Sequence, residues 1–249
     1  MNLISLCTGI GGLEYFTHQL GIRTLCHVEK DEDARKVLAS RYPNIPLYRY
    51  METFTRDYRE TERPDIVCAG IPCQPHSTAS GKNRKGANDT RNLWPCTADI
   101  IDAFNPRYFI LENVRGIVST MLQEIEADLE ARNYQVRSYL VQANSFGYDD
   151  KRERIILVAH NPSIGVERLR RQRLKIPQSL ARPFLSVRDS NGQWEIEPDV
   201  CRAPSGLPRK LDFARLKQLG NAVKPEQALP FWLALVNYEM QLLTQEKVI

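Results

Sequence analysis

The sequence predicts an α/β fold, and three observations support it. Asn2–Leu6 is a short apolar run of the kind that forms a buried strand. The glycine-rich stretch TGIGG follows, and residues 13–20 then have the apolar spacing of a helix, which predicts a β-turn-α unit. Residues 24–28 and 65–69 are two more short apolar runs, each followed by residues typical of a turn or a helix. Strands that alternate with helices in this way are typical of an α/β domain.

Length and composition limit the class of protein. With 249 residues and 42% hydrophobic content, the chain can bury a substantial core. It contains no apolar run of about 18 residues and no basic region before its apolar start, so we expect a cytoplasmic protein without a membrane span or signal peptide. Six cysteines without C-x-x-C spacing favour reduced thiols and no metal site. The net charge of +4 permits an acidic partner.

The first β-turn-α unit predicts a loop that binds a nucleotide-like ligand. The glycines of TGIGG let the backbone approach a ligand closely. The next strand ends on Glu29, where a carboxylate can accept hydrogen bonds from ribose hydroxyls. Taken alone, this pattern fits a nicotinamide dehydrogenase as well. Glu52 follows a short strand at residues 47–50 and is either a further ligand contact or a solvated acid.

Cys73 lies between two prolines shortly after the apolar run at residues 65–69. Gly70 releases the chain into a turn, and Pro72 and Pro75 stiffen the backbone on either side of the thiol. This setting is typical of a nucleophile presented at the end of a strand. We expect the other five cysteines to be small buried hydrophobic residues. A nicotinamide dehydrogenase does not need a nucleophilic cysteine at this position, so Cys73 argues against that class of enzyme.

An acidic motif follows another predicted strand. Residues 107–111 are apolar, and the triplet ENV begins directly after them at Glu112. Ligands of open α/β sheets bind at the carboxyl ends of the strands, so Glu112 is expected to face the same crevice as Cys73 and Glu29. Without its position downstream of Cys73, the triplet would favour a capping role for Glu112.

Two stretches rich in cations are candidates for phosphate contacts. Residues 78–91 are almost free of apolar residues and predict a mobile loop, either a lid or a disordered connector. Residues 168–175 place five cations in eight positions, which fits a solvated surface or a nuclear-localisation signal. In a DNA enzyme, both stretches would bind phosphates. The cations concerned are Lys82, Arg84, Lys85, Arg168, Arg170, Arg171 and Arg173.

Six elements of the chain resemble, in order, the motifs of the DNA (cytosine-5) methyltransferases: TGIGG, Glu29, PCQP, ENV, RER and GNAV. The loop Gly-Ile-Pro-Cys-Gln-Pro-His-Ser is similar to the family's G-(F/P)-P-C-Q-x-(F)-S. Residues 150–154 resemble the family's Q-x-R-x-R element. The departures from the family pattern are Ser5 for Asp, Cys7 for Phe, His76 for Phe and Asp150 for Gln.

The resemblance implies a Rossmann-like fold of the S-adenosylmethionine-dependent methyltransferases. Such a fold has a mostly parallel sheet with flanking helices, here joined by a small irregular recognition subdomain. We expect a catalytic, cofactor-binding domain at residues 1–159 and a small target-recognition region at 160–205. Residues 206–249 would carry the last motif and a helix whose apolar stripe packs back on the catalytic domain.

The resemblance also implies the chemistry. Cys73 would add to carbon 6 of a flipped-out cytosine, Glu112 would share a proton with the base, and Arg154 would hold its O2 edge, with Arg152 as a further catalytic residue. Carbon 5 would then take a methyl group from S-adenosylmethionine. Cofactor contacts are expected from Cys7, Thr8, Gly9, Ile10, Gly11, Gly12, Glu29, Lys30, Glu52, Pro72, Asn221, Ala222 and Val223. Nucleic-acid contacts are expected from Gln74, Ser77 and the seven cations named above.

Two other functions stay open. One is methylation of tRNA, and the other is a catalytically silent DNA-binding regulator, against which the intact Cys73, Glu112 and Arg154 argue. We expect a bacterial or phage-encoded monomer that acts on double-stranded DNA without metal or membrane, and leave open whether a cognate restriction endonuclease exists. Only about sixty residues separate RER from GNAV, which predicts a recognition site of about two to four base pairs.

Overall fold

The computed structural model describes residues 1–72, 92–165, 174–181 and 222–245, and its strands join into a single sheet with helices on both faces. The strands are β1 Asn2–Leu6, β2 Arg23–Val28, β3 Leu47–Tyr48, β4 Ile66–Gly70, β5 Tyr108–Val114, β6 Gln135–Gln142 and β7 Glu153–His160. The helices are α1 Glu32–Arg41, α2 Met51–Asp57, α3 Trp94–Phe104, α4 Leu122–Ala131, α5 Gln178–Ala181 and α6 Pro225–Gln245. Short 3-10 helices occur at Thr17–Leu20, Arg115–Ser119 and Ala143–Phe146.

The strand order across the sheet is β3-β2-β1-β4-β5-β7-β6. The first five strands are parallel, and β7 runs antiparallel to both of its neighbours, β5 and β6. The carboxyl ends of β1, β2, β4 and β5 therefore lie along one edge of the sheet, and the start of β7 lies beside the end of β5. The predicted α/β fold with a mostly parallel sheet is confirmed.

Both faces of the sheet are covered because successive strand residues point to opposite sides. In β1, Leu3 belongs to one hydrophobic cluster and Ile4 to the other. The cluster around Ile4 includes residues of α2, α3 and α4, such as Phe54 and Trp94. The opposite cluster is closed by α6, whose Trp232 is fully buried. Burial on both faces explains why these strands consist almost entirely of apolar residues, which the sequence analysis identified as short apolar runs.

The segment after the glycine-rich stretch differs from its prediction. A helix was expected over residues 13–20, but only Thr17–Leu20 is helical, as one 3-10 turn. The Thr17 hydroxyl donates a 2.7 Å hydrogen bond to the carbonyl of Glu14, which competes with a regular helix at this point. The Trp232 indole donates a 2.8 Å hydrogen bond to the carbonyl of Leu13. Contact with α6, and not local helix propensity, therefore fixes this segment.

In the part of the chain that the structure describes, no helix has both the length and the apolar character needed to cross a bilayer.

Candidate active site

The glycine-rich loop turns sharply at the end of β1. Gly9 and Gly11 have φ values of +59° and +84°, and Cys7 between strand and loop has a φ of +48°. Glycine adopts this left-handed region without the steric cost that a side chain brings. The Thr8 hydroxyl donates a 3.0 Å hydrogen bond back to the carbonyl of Ser5, which fixes the start of the turn. The sequence therefore folds TGIGG into a tight loop over the carboxyl edge of the sheet.

Glu29 is held beside this loop by backbone groups. Its Oε2 atom accepts a 2.7 Å hydrogen bond from the Gly9 N–H, and its Oε1 atom accepts one of 2.7 Å from the Asp31 N–H. A carboxylate oxygen can accept more than one hydrogen bond, so both atoms keep capacity for a ligand donor. The structure thus brings together the loop and the acid that the sequence predicted as the two parts of a cofactor site.

The ends of β1, β4 and β5 meet at Gly70. Gly70 is the last residue of β4 and pairs in register with Glu112 of β5. A Cβ atom placed on Gly70 would lie 3.3 Å from the carbonyl oxygen of Cys7 and 3.6 Å from Oε2 of Glu112. The glycine-rich loop and the Glu112 carboxylate therefore approach the end of β4 from its two sides.

Glu112 and Arg154 form a buried ion pair across β5 and β7. Their side chains are 11% and 9% exposed, and 2.7 Å separates Arg154 Nε from Glu112 Oε1. The N–H is not well aligned with that oxygen, so the contact is an ion pair more than a directed hydrogen bond. Burial raises the pKa of Glu112 above its usual value, while Arg154 and Arg152 oppose this shift. A carboxyl group in this setting is poised to carry a proton.

The residues just before β7 are joined to the first turn of α6 and to the segment that precedes it. Arg152 donates a 2.8 Å hydrogen bond to the carbonyl of Ala222, and Gln227 donates 3.1 Å bonds to the carbonyls of Val141 and Arg152. Asp150, at the position where the family pattern has Gln, forms a 2.7 Å ion pair with Lys224. Sequence reasoning missed Lys224 and Gln227, because their partners lie far away in the chain.

The same segment also closes on the glycine-rich loop. A Cβ atom on Gly12 would come within 2.6 Å of the carbonyl oxygen of Val223, a distance that real side chains do not show. A cavity lies between them at the carboxyl ends of β1, β4 and β5. It is lined by Ser5, Leu6, Cys7, Thr8, Gly9, Ile10, Gly12, Leu13, Glu14, Gly70, Glu112, Ala222 and Val223. This cavity is the candidate active site, and its lining residue Glu14 was missed by sequence reasoning because no motif marks it.

Comparison with known families agrees with this geometry. The family described as C-5 cytosine-specific DNA methylase matches residues 1–199. The chain belongs to this family. The resemblance inferred from its motifs is thereby confirmed, and S-adenosylmethionine is the cofactor that membership implies. The site fits this cofactor, because glycines allow close backbone approach and Glu29 has acceptor capacity left for ribose hydroxyls.

Individual members of the methylase family show the extent of the likeness. The chain is 36% identical over 173 residues to the Type II methyltransferase M.HpaII of Haemophilus parainfluenzae, covering 66% of this chain and 47% of that protein. It is 32% identical over 161 residues to the Type II methyltransferase M.AplI of Arthrospira platensis, covering 64% and 45%. The chain therefore spans about half the length of the curated relatives that it matches.

Solved methyltransferase structures share the fold. A DNA modification methyltransferase encoded within an E. coli prophage superposes with a TM-score of 0.52 at 22% identity, covering 67% of this chain and 49% of that one. The S. pombe Dnmt2 methyltransferase superposes with a TM-score of 0.53 at 18% identity, covering 66% and 50%. At these identities the likeness supports the Rossmann-like methyltransferase fold alone.

The remaining predicted cofactor residues of the chain lie around the cavity or beyond it. Cys7 lines the cavity, and burial raises the pKa of its thiol far above the usual value, so the thiol is inert. Lys30 lies 5.8 Å from the ring centre of Tyr50. Glu52 is exposed in the first turn of α2, and Pro72 lies near Asn113 at a second, smaller pocket.

Several predicted residues lie outside the part of the chain that the structure describes. They are Cys73, Gln74, Ser77, Lys82, Arg84, Lys85, Arg168, Arg170, Arg171, Arg173 and Asn221. Among the described residues, no cluster of three or more His, Cys, Asp or Glu side chains could hold a metal ion.

Proposed function

We propose that this chain is a DNA cytosine-5 methyltransferase that methylates carbon 5 of a flipped-out cytosine through a covalent adduct of Cys73. The observation that carries the proposal is the position of Glu112. Its carboxylate lies beside Gly70, the last residue of β4 and three positions before Cys73 in the sequence, with the glycine-rich loop on the other side. A nucleophile, a proton-carrying acid and a methyl donor would meet at this one point.

Cys73 would act first. Carbon 5 of cytosine is a weak nucleophile, so the conjugation of the ring must be broken before it can take a methyl group. The thiolate of Cys73 forms a carbon–sulfur bond at carbon 6, and the electron pair of the C5–C6 double bond moves toward carbon 5 and N3. The prolines at positions 72 and 75 would hold the thiol at the strand end.

Glu112 and Arg154 would stabilise the charge that this addition creates. A protonated Glu112 carboxyl donates a hydrogen bond to N3, and the raised pKa that its burial causes favours this protonated form. Arg154 orients the carboxyl through their 2.7 Å contact, and its remaining N–H groups would face the O2 edge of the base. Arg152 is bound to the carbonyl of Ala222, so we assign it to positioning of the last motif against the site.

The cofactor completes the reaction. When bound, S-adenosylmethionine would supply an electrophilic methyl group, and the sulfur–methyl bond that breaks on transfer would leave S-adenosylhomocysteine. The glycine-rich loop and Glu29 would place it so that carbon 5 can form the new carbon–carbon bond. Loss of the carbon 5 proton to a base then restores the C5–C6 double bond and expels the Cys73 thiolate, which returns the enzyme to its starting state.

Double-stranded DNA is the proposed partner, and the target base must leave the helix to reach Cys73. We assign residues 1–159 to catalysis, residues 160–205 to recognition and residues 206–249 to the closing motif. The cations in the two basic stretches would bind phosphates, so DNA affinity should fall with salt with a log–log slope of several units, for about five neutralised phosphates. A flat salt response would contradict a nucleic-acid substrate.

Bisulfite sequencing tests the activity. Plasmid DNA is incubated with the protein and S-adenosylmethionine, and protected cytosines are expected within a short motif of about two to four base pairs. Cys73→Ser should abolish protection, whereas Cys96→Ser, which changes a half-buried thiol on α3, should retain it. Turnover by Cys73→Ser at a tenth of the wild-type rate would overturn the assignment of the nucleophile.

The same assay separates the alternatives. Methylation of tRNA without methylation of DNA would favour the tRNA branch of the family. DNA binding without any methyl transfer would favour a silent regulatory relative. A strict six-base consensus in the methylation map would contradict the inference of a short recognition site.

A further inference from the structure

Glu14 is an acid buried beneath the glycine-rich loop. Its side chain is 2% exposed, and it lines the candidate cofactor cavity. Within the described part of the chain, neither carboxylate oxygen of Glu14 receives a hydrogen bond. Burying a carboxylate without such partners is costly. A donor from outside this set of residues is therefore expected at this position.

Polar side chains surround Glu14, but none of those described donates a hydrogen bond to its carboxylate. His27 Nδ1 lies 3.4 Å from Glu14 Oε1, and the geometry does not meet that of a hydrogen bond. Ser5 pairs in register with His27 on β2 and Cys68 on β4, so all three occupy the strands below Glu14. The Thr17 hydroxyl bonds to the backbone carbonyl of Glu14 and leaves its side chain untouched. His27 thus borders one oxygen, and the second faces no described donor.

The cavity wall has an unbalanced charge. Two acids, Glu14 and Glu112, are among the described residues that line it, and no Lys or Arg is. Glu112 already has Arg154 as its partner. Glu14 is therefore the acid of this cavity that is suited to receive a cation from a ligand.

We propose that Glu14 binds the α-ammonium group of the methionine end of S-adenosylmethionine, with His27 positioning the carboxylate. This rests on the proposed use of that cofactor at this site. The ammonium group is preferred to the sulfonium because a carboxylate that lacks hydrogen bonds is satisfied by N–H donors, and a sulfonium has none. Glu29 and Glu14 would then hold the two ends of one molecule, the ribose and the amino acid.

Ligands that differ in charge test this assignment on the full chain. S-adenosylmethionine carries the ammonium and the sulfonium, S-adenosylhomocysteine carries the ammonium alone, and 5′-methylthioadenosine carries neither. Affinities are measured by calorimetry for the wild type, for Glu14→Gln, and for Glu32→Gln, which changes an exposed acid on α1. Glu14→Gln should weaken the first two ligands by about tenfold or more and the third by less than about twofold. Glu32→Gln should leave all three unchanged.

Each other pattern overturns the proposal. If all three ligands are weakened equally, Glu14 has a structural role and does not bind the ammonium group. If only S-adenosylmethionine is weakened, Glu14 contacts the sulfonium instead. If no ligand is weakened, Glu14 does not contact the cofactor. If Glu14→Gln does not fold, the wild type is compared with S-adenosylhomocysteine and its desamino analogue, and equal affinities contradict the proposal. Wild type that binds none of these ligands would instead refute the use of the cofactor.

Discussion

The two sides of the candidate site are built in different ways. On the cofactor side, the carboxylate of Glu29 is held by the backbone N–H groups of Gly9 and Asp31, at the ends of two parallel strands. On the side of the proposed chemistry, Glu112 is held by the side chain of Arg154, from a strand that runs antiparallel to its own. The first acid is fixed by backbone of nearby loops, and the second by a buried ion pair.

This difference assigns each acid a physical role. Two backbone N–H donors hold the carboxylate of Glu29 in place, which suits an acceptor of ribose hydrogen bonds. Burial raises the pKa of Glu112, and the guanidinium groups of Arg154 and Arg152 only partly oppose this shift, which suits an acid that must take up and release a proton. In the proposed reaction, the same type of side chain would thus serve binding on one side and proton transfer on the other.

Removal of Glu112 is expected to have the largest effect. Glu112→Ala leaves the buried guanidinium of Arg154 without its charge partner, so the free energy of unfolding should fall by about 3–5 kcal/mol, together with loss of methyl transfer. The matched control is Arg115→Ala, which breaks a pair with Glu153 in which Arg115 is 66% exposed. It should have no measurable effect on stability. Equal losses in urea unfolding would show that burial does not distinguish the two pairs.

Glu29→Ala should have the next largest effect, on the cofactor side. It removes the acceptor of two backbone hydrogen bonds, so we expect the free energy of unfolding to fall by about 1–3 kcal/mol and affinity for S-adenosylmethionine to fall as well. Glu52→Ala changes an exposed acid and should leave stability unaltered. Chemical denaturation and calorimetry measure both quantities. Unchanged cofactor affinity in Glu29→Ala would contradict the role of the loop.

Gly12→Ala tests the contact between the glycine-rich loop and the last motif. The added Cβ would lie 2.6 Å from the carbonyl oxygen of Val223, so backbone must move, and we expect a loss of about 1–2 kcal/mol. Gly165→Ala is the control, because its Cβ would meet no atom within 4 Å. If the two variants have the same thermal unfolding midpoint, the segment before α6 does not contact the glycine-rich loop closely in solution.

The smallest expected effect is on the pH dependence of stability. The folded-state pKa of Glu112 is raised above 4.5 by burial, so the folded state takes up this proton at a higher pH than the unfolded state does. The stability that Glu112 contributes is therefore full below pH 4.5 and is lost as the pH rises through the raised value. Relative to Glu112→Gln, the wild type should gain stability as the pH falls through this interval. An opposite slope in urea unfolding would mean that Arg154 dominates.

Much of the cofactor side could be predicted from local sequence. The apolar runs of β1, β2, β4 and β5 identify the strands, and in parallel strands the residue that follows each run lies at the same edge of the sheet. Glu29 and Glu112 were found in this way, although β5 continues beyond Glu112 to Val114. The helix predicted over residues 13–20 was wrong in extent because Trp232 and Thr17, and not helix propensity, fix that segment.

The positions of the strands and motifs along the chain, the family, and the acids near the carboxyl ends of the parallel strands could be inferred from the amino-acid sequence, because these depend on neighbours within a few residues. The partners of those acids depend on the tertiary fold. The register of β5 with the antiparallel β7 brings Arg154 to Glu112, and Arg152 reaches the carbonyl of Ala222 across seventy positions of the chain. Burial of Glu14 likewise results from packing of distant segments above the sheet. Local patterns cannot specify such contacts, because they form only when those segments meet in the folded chain.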